Sequence, residues 1–214
     1  MIASMKKNGL LLALFGFASA GLVSLTYEGT KDQIAEQQKR QLIANLQEIL
    51  PADLYDNEPH NDCRLLTSEQ YLGTSSPQQA FLASHSGEPV AIAIETTAPD
   101  GYNGDIHIIV GINWSGKLLG VRTLSHNETP GLGDLIDTRR SDWVHAFTGY
   151  RLESDKDKRF GVKRDGGDFD QFTGATITPR AYVGAVKNTL IYFNQNKDSL
   201  LLAPRCQGEI GDQQ

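Results

Sequence analysis

Cysteine is scarce in this chain: two residues in 214, Cys63 and Cys206, with no CxxC pair. That spacing gives no support to a zinc or iron–sulfur centre, which needs clustered thiolates. Histidine is scarce too, five in all, and none falls in an HExxH or similar pair, so no metal site is expected. A basic tract is missing. Lys and Arg total 20 against 26 Asp and Glu, for a net charge of −6 with the two signs intermixed, which argues against a nucleic-acid surface. There is no internal repeat. Gly111 to Lys117 has the glycine and lysine spacing of a P-loop, but Leu118 stands where a Ser or Thr is required. Asn113-Trp114-Ser115-Gly116 is moreover a hairpin signal rather than a strand-to-helix turn, so nucleoside triphosphate binding is excluded.

Long apolar runs are limited to one. Lys6 and Lys7 precede a stretch from Gly9 to Leu25 broken only by Ser19 and Ser24. Two readings fit it. As a signal peptide it offers Ala18-Ser19-Ala20 as a small-x-small cleavage site; as a retained helix it has the length at the lower edge of a bilayer span. Both send the remainder across the membrane, because the two lysines stay on the cytoplasmic side. In an exported domain an even cysteine pair points to one disulfide, Cys63 to Cys206, the alternative being two unpaired thiols.

After this segment the chain is long enough for one domain with a real core. Residues 30–50 carry a helical stripe (Ile34, Leu42, Ile43, Leu46, Ile49, Leu50) ended by Pro51, which suits a stalk and, compatibly, a first helix packed on the domain. Residues 51–80 are polar and rich in turns. Three strand-like runs follow, Pro89–Thr96, Asp105–Ile112 and Lys117–Leu124, the last two joined by the hairpin signal, so an antiparallel meander is expected. Ser141–Phe147 reads as a short capped helix and Arg159–Arg164 as a further strand, closed by an Asp165-Gly166-Gly167 turn. A last helix runs from Pro179 to about Phe193 with Thr178 as its N-cap and Val183, Val186, Leu190 and Phe193 on the buried side. Sheet runs flanked by helices predict an α+β fold: an antiparallel sheet with helices around it, preceded by the N-terminal helix.

Chemistry concentrates in four stretches. Asp170-Gln171-Phe172-Thr173-Gly174-Ala175-Thr176 leads into the last helix; its residues suit an ordinary capped loop, and equally a phosphate resting on a helix N-terminus. Asp100-Gly101-Tyr102-Asn103-Gly104 is sufficient as a tight turn, and its glycines would also let backbone approach a ligand with Tyr102 against an aromatic ring. Ser125-His126-Asn127-Glu128-Thr129-Pro130-Gly131-Leu132-Gly133 carries more polar functionality than a connection needs, though His126 alone reads as a structural hydrogen-bonder. Lys163, ahead of Asp165-Gly166-Gly167, is either a solvated strand-end lysine or a cation for a bound anion.

Asp-x-x-Thr-Gly-Ala-Thr resembles the flavinylation motif of the covalent FMN-binding domain family. The Gly-Tyr-x-Gly turn, the Glu-Thr-Pro-Gly-Leu-Gly loop and the Lys-x-Asp-Gly-Gly segment match the same family, most nearly its Rnf/Rsx-type ion-translocating electron-transport branch. More distant is the C subunit of the sodium-translocating NADH:quinone oxidoreductase. Thr173 replaces a serine found in many relatives. The resemblance implies FMN joined to Thr176 by a phosphoester bond that a flavin transferase makes. It further implies a motif of Asp170, Thr173, Gly174 and Ala175 around it, and a flavin edge bordered by Glu128, Thr129, Gly131, Leu132 and Gly133. Tyr102 and Lys163 would lie close by. It also implies a retained single-pass anchor over 1–27, a helical stalk over 28–50 and an FMN-binding domain over 51–214 on the periplasmic side of a bacterial inner membrane. The role implied is an electron relay among the other subunits of a membrane complex, with no turnover by the polypeptide alone. A non-redox exported assembly or ligand-binding module, and a standalone extracytoplasmic flavoprotein, are the alternatives.

Overall fold

A computed structural model of the chain describes residues 2–206, with side chains from Lys6 onward. One helix, α1 (Ile2–Ile49), covers both the expected anchor and the expected stalk without a break. It contains an 18-residue window of mean hydropathy 1.9 with no buried residue, long and apolar enough to cross a membrane. Two hydroxyls, one in the apolar run and one just beyond it, are satisfied by the helix itself. Ser19 Oγ donates to the Phe15 carbonyl at 2.8 Å and Thr26 Oγ1 to the Val23 carbonyl at 2.8 Å, so neither hydroxyl is left without a partner in hydrocarbon. Beyond them, Lys31 pairs with Glu28 and Arg40 with Glu36 along the exposed helix.

The chain divides into two compact units, Met1–Ala44 and Asn45–Gln214. The second begins ahead of Pro51 because the last turn of α1 is already buried, with Leu46, Ile49 and Leu50 each at 3% exposure or less. The last eight residues of the expected domain, 207–214, lie outside the described ones.

Five strands form one antiparallel meander in the order β1 (Cys63–Leu66), β2 (Gln78–His85), β3 (Glu88–Ala98), β4 (Ile106–Asn113) and β5 (Leu118–Ser125). The three expected strands are present within two residues of their predicted ends. Strand β1 and the one-turn helix α2 (Glu69–Leu72) lie in the stretch read as turn-rich, and β2 starts at its end and runs through residues 81–85, where the sequence predicts no element. The β4–β5 hairpin is closed by Gly116 at φ 85° and by Asn113, whose Oδ1 accepts from Ser115 N and Lys117 N at 3.1 and 2.8 Å.

One sheet face carries Ile92, Ile94, Ile108, Val110 and Val121 into a core with Tyr182, Val183, Val186, Leu190 and Phe193 of α3 (Ile177–Leu200). On the other face Ile49 of α1 rests on Gly111 and Gly120, where an added Cβ would meet it at 3.0–3.4 Å. Arg122 of β5, its side chain 9% exposed, fastens the same turn by an ion pair to Glu48 at 2.6 Å. α3 runs two turns past the predicted end, and its predicted inward residues are all buried. Between β5 and α3 the chain is irregular. The expected helix at Ser141–Phe147 is a 3-10 helix over Trp143–Phe147, with Ser141 Oγ accepting from Trp143 N at 3.2 Å.

The expected strand Arg159–Arg164 does not form. The segment folds back on itself instead, pairing Val162 with Phe169 in a single bridge before a 3-10 turn at Lys163–Asp165. Gly167 packs directly on the Gly161 carbonyl, where a Cβ would come within 2.0 Å; so tight a reversal leaves no straight edge to join the sheet. Across Cys63 and Cys206 a disulfide ties β1 to the end of the described chain, alongside an isolated bridge between Arg64 and Arg205.

Candidate functional site

The Thr-Gly-Ala-Thr turn is held from beneath by aromatic packing. Phe172 is buried edge-on against Trp143 at 5.0 Å, and Trp143 in turn meets Tyr182 of α3 at 5.4 Å. The Trp143 Nε1–H donates to the Asp170 carbonyl at 2.8 Å. Ala175 N closes the turn on the Phe172 carbonyl at 3.2 Å, and Gly174 adopts φ 82°, a left-handed conformation that suits glycine. Burial pushes the Tyr182 hydroxyl far above its ordinary pKa, against the smaller effects of Thr123 and Arg122. It therefore stays protonated at neutral pH as a fixed partner between β5 and α3.

The helix start differs from the expectation. α3 begins at Ile177 with Thr176 as the preceding residue, whose side chain makes no capping bond. Thr178, expected as the cap, is fully buried and its hydroxyl donates to Glu128 Oε2 in a short hydrogen bond. A buried carboxylate 50 residues upstream takes that hydroxyl, so the cap moves. Pro179 still falls in the first turn, where its missing N–H leaves nothing unpaired.

Glu128, 4% exposed, is the point on which three segments converge. Its Oε1 accepts from Asn103 N at 3.2 Å, while Asn103 Nδ2 donates to the Asn127 carbonyl at 2.7 Å. His126 Nδ1 accepts from the Glu128 N–H at 3.1 Å, a structural role as expected. Two glycines make room for the carboxylate. A Cβ on Gly101 would lie 2.9 Å from Glu128 Oε1, and one on Gly133 would lie 2.7 Å from Oε2 and 2.9 Å from Thr178 Oγ1. Gly131, at φ 78°, donates its N–H to Asp134 Oδ1 at 2.8 Å and so shapes the loop's outer bend.

These segments enclose a half-open cavity of about 240 Å³. Thr176, half-buried, stands on its wall beside Gly174 and Ala175; Glu128, Thr129 and Gly133 form the facing wall; Tyr102, Leu132 and Ile177 make an exposed apolar rim. The structure thus brings together Tyr102, Glu128, Thr129, Leu132, Gly133, Gly174, Ala175 and Thr176 from the sequence reading, and adds Ile177 and Thr178. Asp170, Lys163, Thr173 and Gly131 are not among the lining residues. Lys163 pairs with Asp170 at 2.7 Å, both largely exposed, so it faces a carboxylate of the motif and not the cavity. No group of three or more His, Cys, Asp or Glu that could hold a metal occurs among the described residues.

A flavin phosphate fits this arrangement: a threonine hydroxyl not engaged in capping its own helix stands at the start of a 24-residue helix whose first two residues line the same cavity. Helix N-termini attract anions through unpaired N–H groups and the macrodipole. An α+β domain with such a turn defines the class of FMN-binding domains, and residues 101–191 match the profile of the FMN-binding domain family. Residues 1–49 match that of the RnfG N-terminal region.

The G subunit of the ion-translocating oxidoreductase complex from Shewanella piezotolerans is 54% identical over 95% of this chain and 96% of its own length. The proteins of the same name from Vibrio atlanticus and Vibrio cholerae are 53% and 50% identical over 98% of this chain and 100% of theirs. The chain belongs to the family of ion-translocating oxidoreductase complex G subunits.

Proposed function

We propose that this protein is the flavin-carrying electron-transfer subunit of an Rnf-type ion-translocating oxidoreductase complex, holding FMN through a phosphoester on Thr176. The observation that carries the reading is the placement of the Thr176 hydroxyl on the wall of a cavity at the N-terminus of α3. Family membership from end to end of the chain supports the complex and the cofactor. Bound FMN supplies the redox chemistry; the protein's own groups position it. The apolar rim of Tyr102, Leu132 and Ile177 would offer surface to the ring, and the Thr129 hydroxyl on the same lining would offer it a hydrogen-bonding partner.

No lysine, arginine or histidine lines the cavity with Thr176, and its one carboxylate, Glu128, already accepts from Asn103 N–H and the Thr178 hydroxyl, so no side chain there is dedicated to activating the Thr176 hydroxyl. That favours a separate flavin transferase, which would join the Thr176 oxygen to the FMN phosphorus of FAD as the diphosphate bond breaks, AMP leaving and taking up the hydroxyl proton. The orientation follows from α1: Lys6 and Lys7 stay in the cytoplasm, and the domain after it lies on the periplasmic side of the inner membrane. A disulfide between Cys63 and Cys206 suits that oxidising compartment. A tethered cofactor also keeps its occupancy where free flavin is dilute.

The test is mass spectrometry of protein taken from its native membrane. The peptide containing Thr176 should carry one FMN, less water, and Thr176→Ala should lack covalent flavin altogether. An unmodified peptide from the native source, or covalent flavin persisting in the variant, overturns the assignment.

A further inference from the structure

Electrostatically the cavity is unusual for a phosphate site. None of its lining residues is a cation, and the one charged group among them is the buried carboxylate of Glu128. Both Glu128 oxygens accept hydrogen bonds, from Asn103 N–H and the Thr178 hydroxyl, which is the arrangement a carboxylate needs when no cation faces it. The nearby cations are committed to other acids. Lys163 pairs with Asp170 at 2.7 Å, Arg180 with Asp165 at 2.6 Å, and Arg140 with Asp134 at 3.4 Å.

The attraction left for an anion is that of the α3 N-terminus, equivalent to roughly half a positive charge. A phosphate monoester such as free FMN carries about 1.5 to 2 negative charges near pH 7. Esterified to a second alcohol, the same phosphate keeps one. The helix end accommodates the single charge, and the second is opposed by Glu128, whose own burial at 4% exposure limits the screening of its charge.

We propose that Glu128 makes this cavity selective by charge, accepting a flavin whose phosphate is a diester and rejecting free FMN. The inference rests on the flavin site assigned above and adds a specificity-determining residue to it. Its consequence is that loose FMN does not occupy the cavity before the tether is made, so Thr176 stays open to modification. Glu128 thereby acts on which flavin enters, in addition to holding the α3 start and the Gly101–Asn103 turn in register.

The experiment uses the full chain in detergent with Thr176→Ala, a change that removes no capping bond. Flavin fluorescence titration at pH 7.5 compares three probes: riboflavin, FMN, and the methyl phosphodiester of FMN. FMN should bind at least about tenfold more weakly than its methyl diester. Adding Glu128→Gln, in which the side-chain amide keeps hydrogen-bonding capacity toward Asn103 and Thr178, should reduce that gap to within roughly threefold. Should Glu128→Gln fail to fold, Thr129→Lys, which puts a cation on the same wall, should narrow the gap as well. FMN binding as tightly as its diester in the Thr176→Ala protein overturns the proposal, as does a gap untouched by either folded variant. If a folded protein binds none of the three probes, the flavin site itself is wrong, a result distinct from equal binding of FMN and diester.

Discussion

At the scale of single residues, the informative ones are the acids that are not paired with bases. Glu128 is one. Glu95 is another: half-buried on β3 beside Ile109, it is pushed up to about 7 from an ordinary 4.5 by burial, against the smaller pull of a hydrogen bond from the Gln79 backbone. An acid whose pKa rises on folding is easier to keep in the folded protein when protonated. Its favourable contribution is complete below about 4.5 and is lost as pH climbs through about 7. Glu95→Gln should therefore gain about 1–3 kcal/mol over the parent at pH 8 and almost nothing at pH 4.5. Urea unfolding at the two pH values measures it, and an equal gain at both would disprove the burial account. Asp157 shows the opposite case, since hydrogen bonds from Arg159 hold its carboxyl far below the usual range.

Among elements, the last turn of α1 has the most specific seat. Gly111 and Gly120 sit opposite each other in the β4–β5 register, and Ile49 occupies the hollow their missing side chains leave. Ile49→Ala would open a cavity there and should cost about 3 kcal/mol, within the usual span for a buried isoleucine. Thermal unfolding of the detergent-solubilised chain reads that loss. The seat also explains why the compact unit starts at Asn45. The helical stripe 42–50 is legible from its 3.6-residue period, whereas two glycines on strands far downstream reveal their purpose only once β4 and β5 are paired.

For the molecule as a whole, closure depends on joining its first strand to its last described residues. Leu65 N donates to the Pro204 carbonyl at 2.8 Å and Cys206 N to the Cys63 carbonyl at 3.1 Å, and the disulfide fixes the pair across 143 residues of chain. Removing it with Cys63→Ala and Cys206→Ala should cost about 3 kcal/mol, a fall in melting temperature of roughly 6–12 °C for a domain of this size. Differential scanning with and without reductant should show the same difference in the parent and none in the double variant. β1 is an edge strand of only four residues against the eight of β5 at the other edge, so the edge that this bridge secures is the shorter one.

The order of residues by itself determined much. The alternation in Pro89–Thr96, Asp105–Ile112 and Lys117–Leu124 gave the centre of the sheet, and Val183, Val186, Leu190 and Phe193 gave the buried stripe of α3. All of these signals are local, with a period of two or 3.6 residues or a short contiguous run. Tertiary structure decided the rest, because it turns on which distant groups share a buried volume. β2 was hidden in a polar neighbourhood, although Ala80-Phe81-Leu82-Ala83 is fully packed once β1 and β3 flank it. Thr178 became Glu128's partner instead of a helix cap because a buried carboxylate without donors costs more than an exposed helix N–H left to water. Lys163 turned to Asp170 because the backbone reverses at Gly161 and Gly167, and no spacing along the chain announces a contact between two glycines that meet carbonyl to Cα.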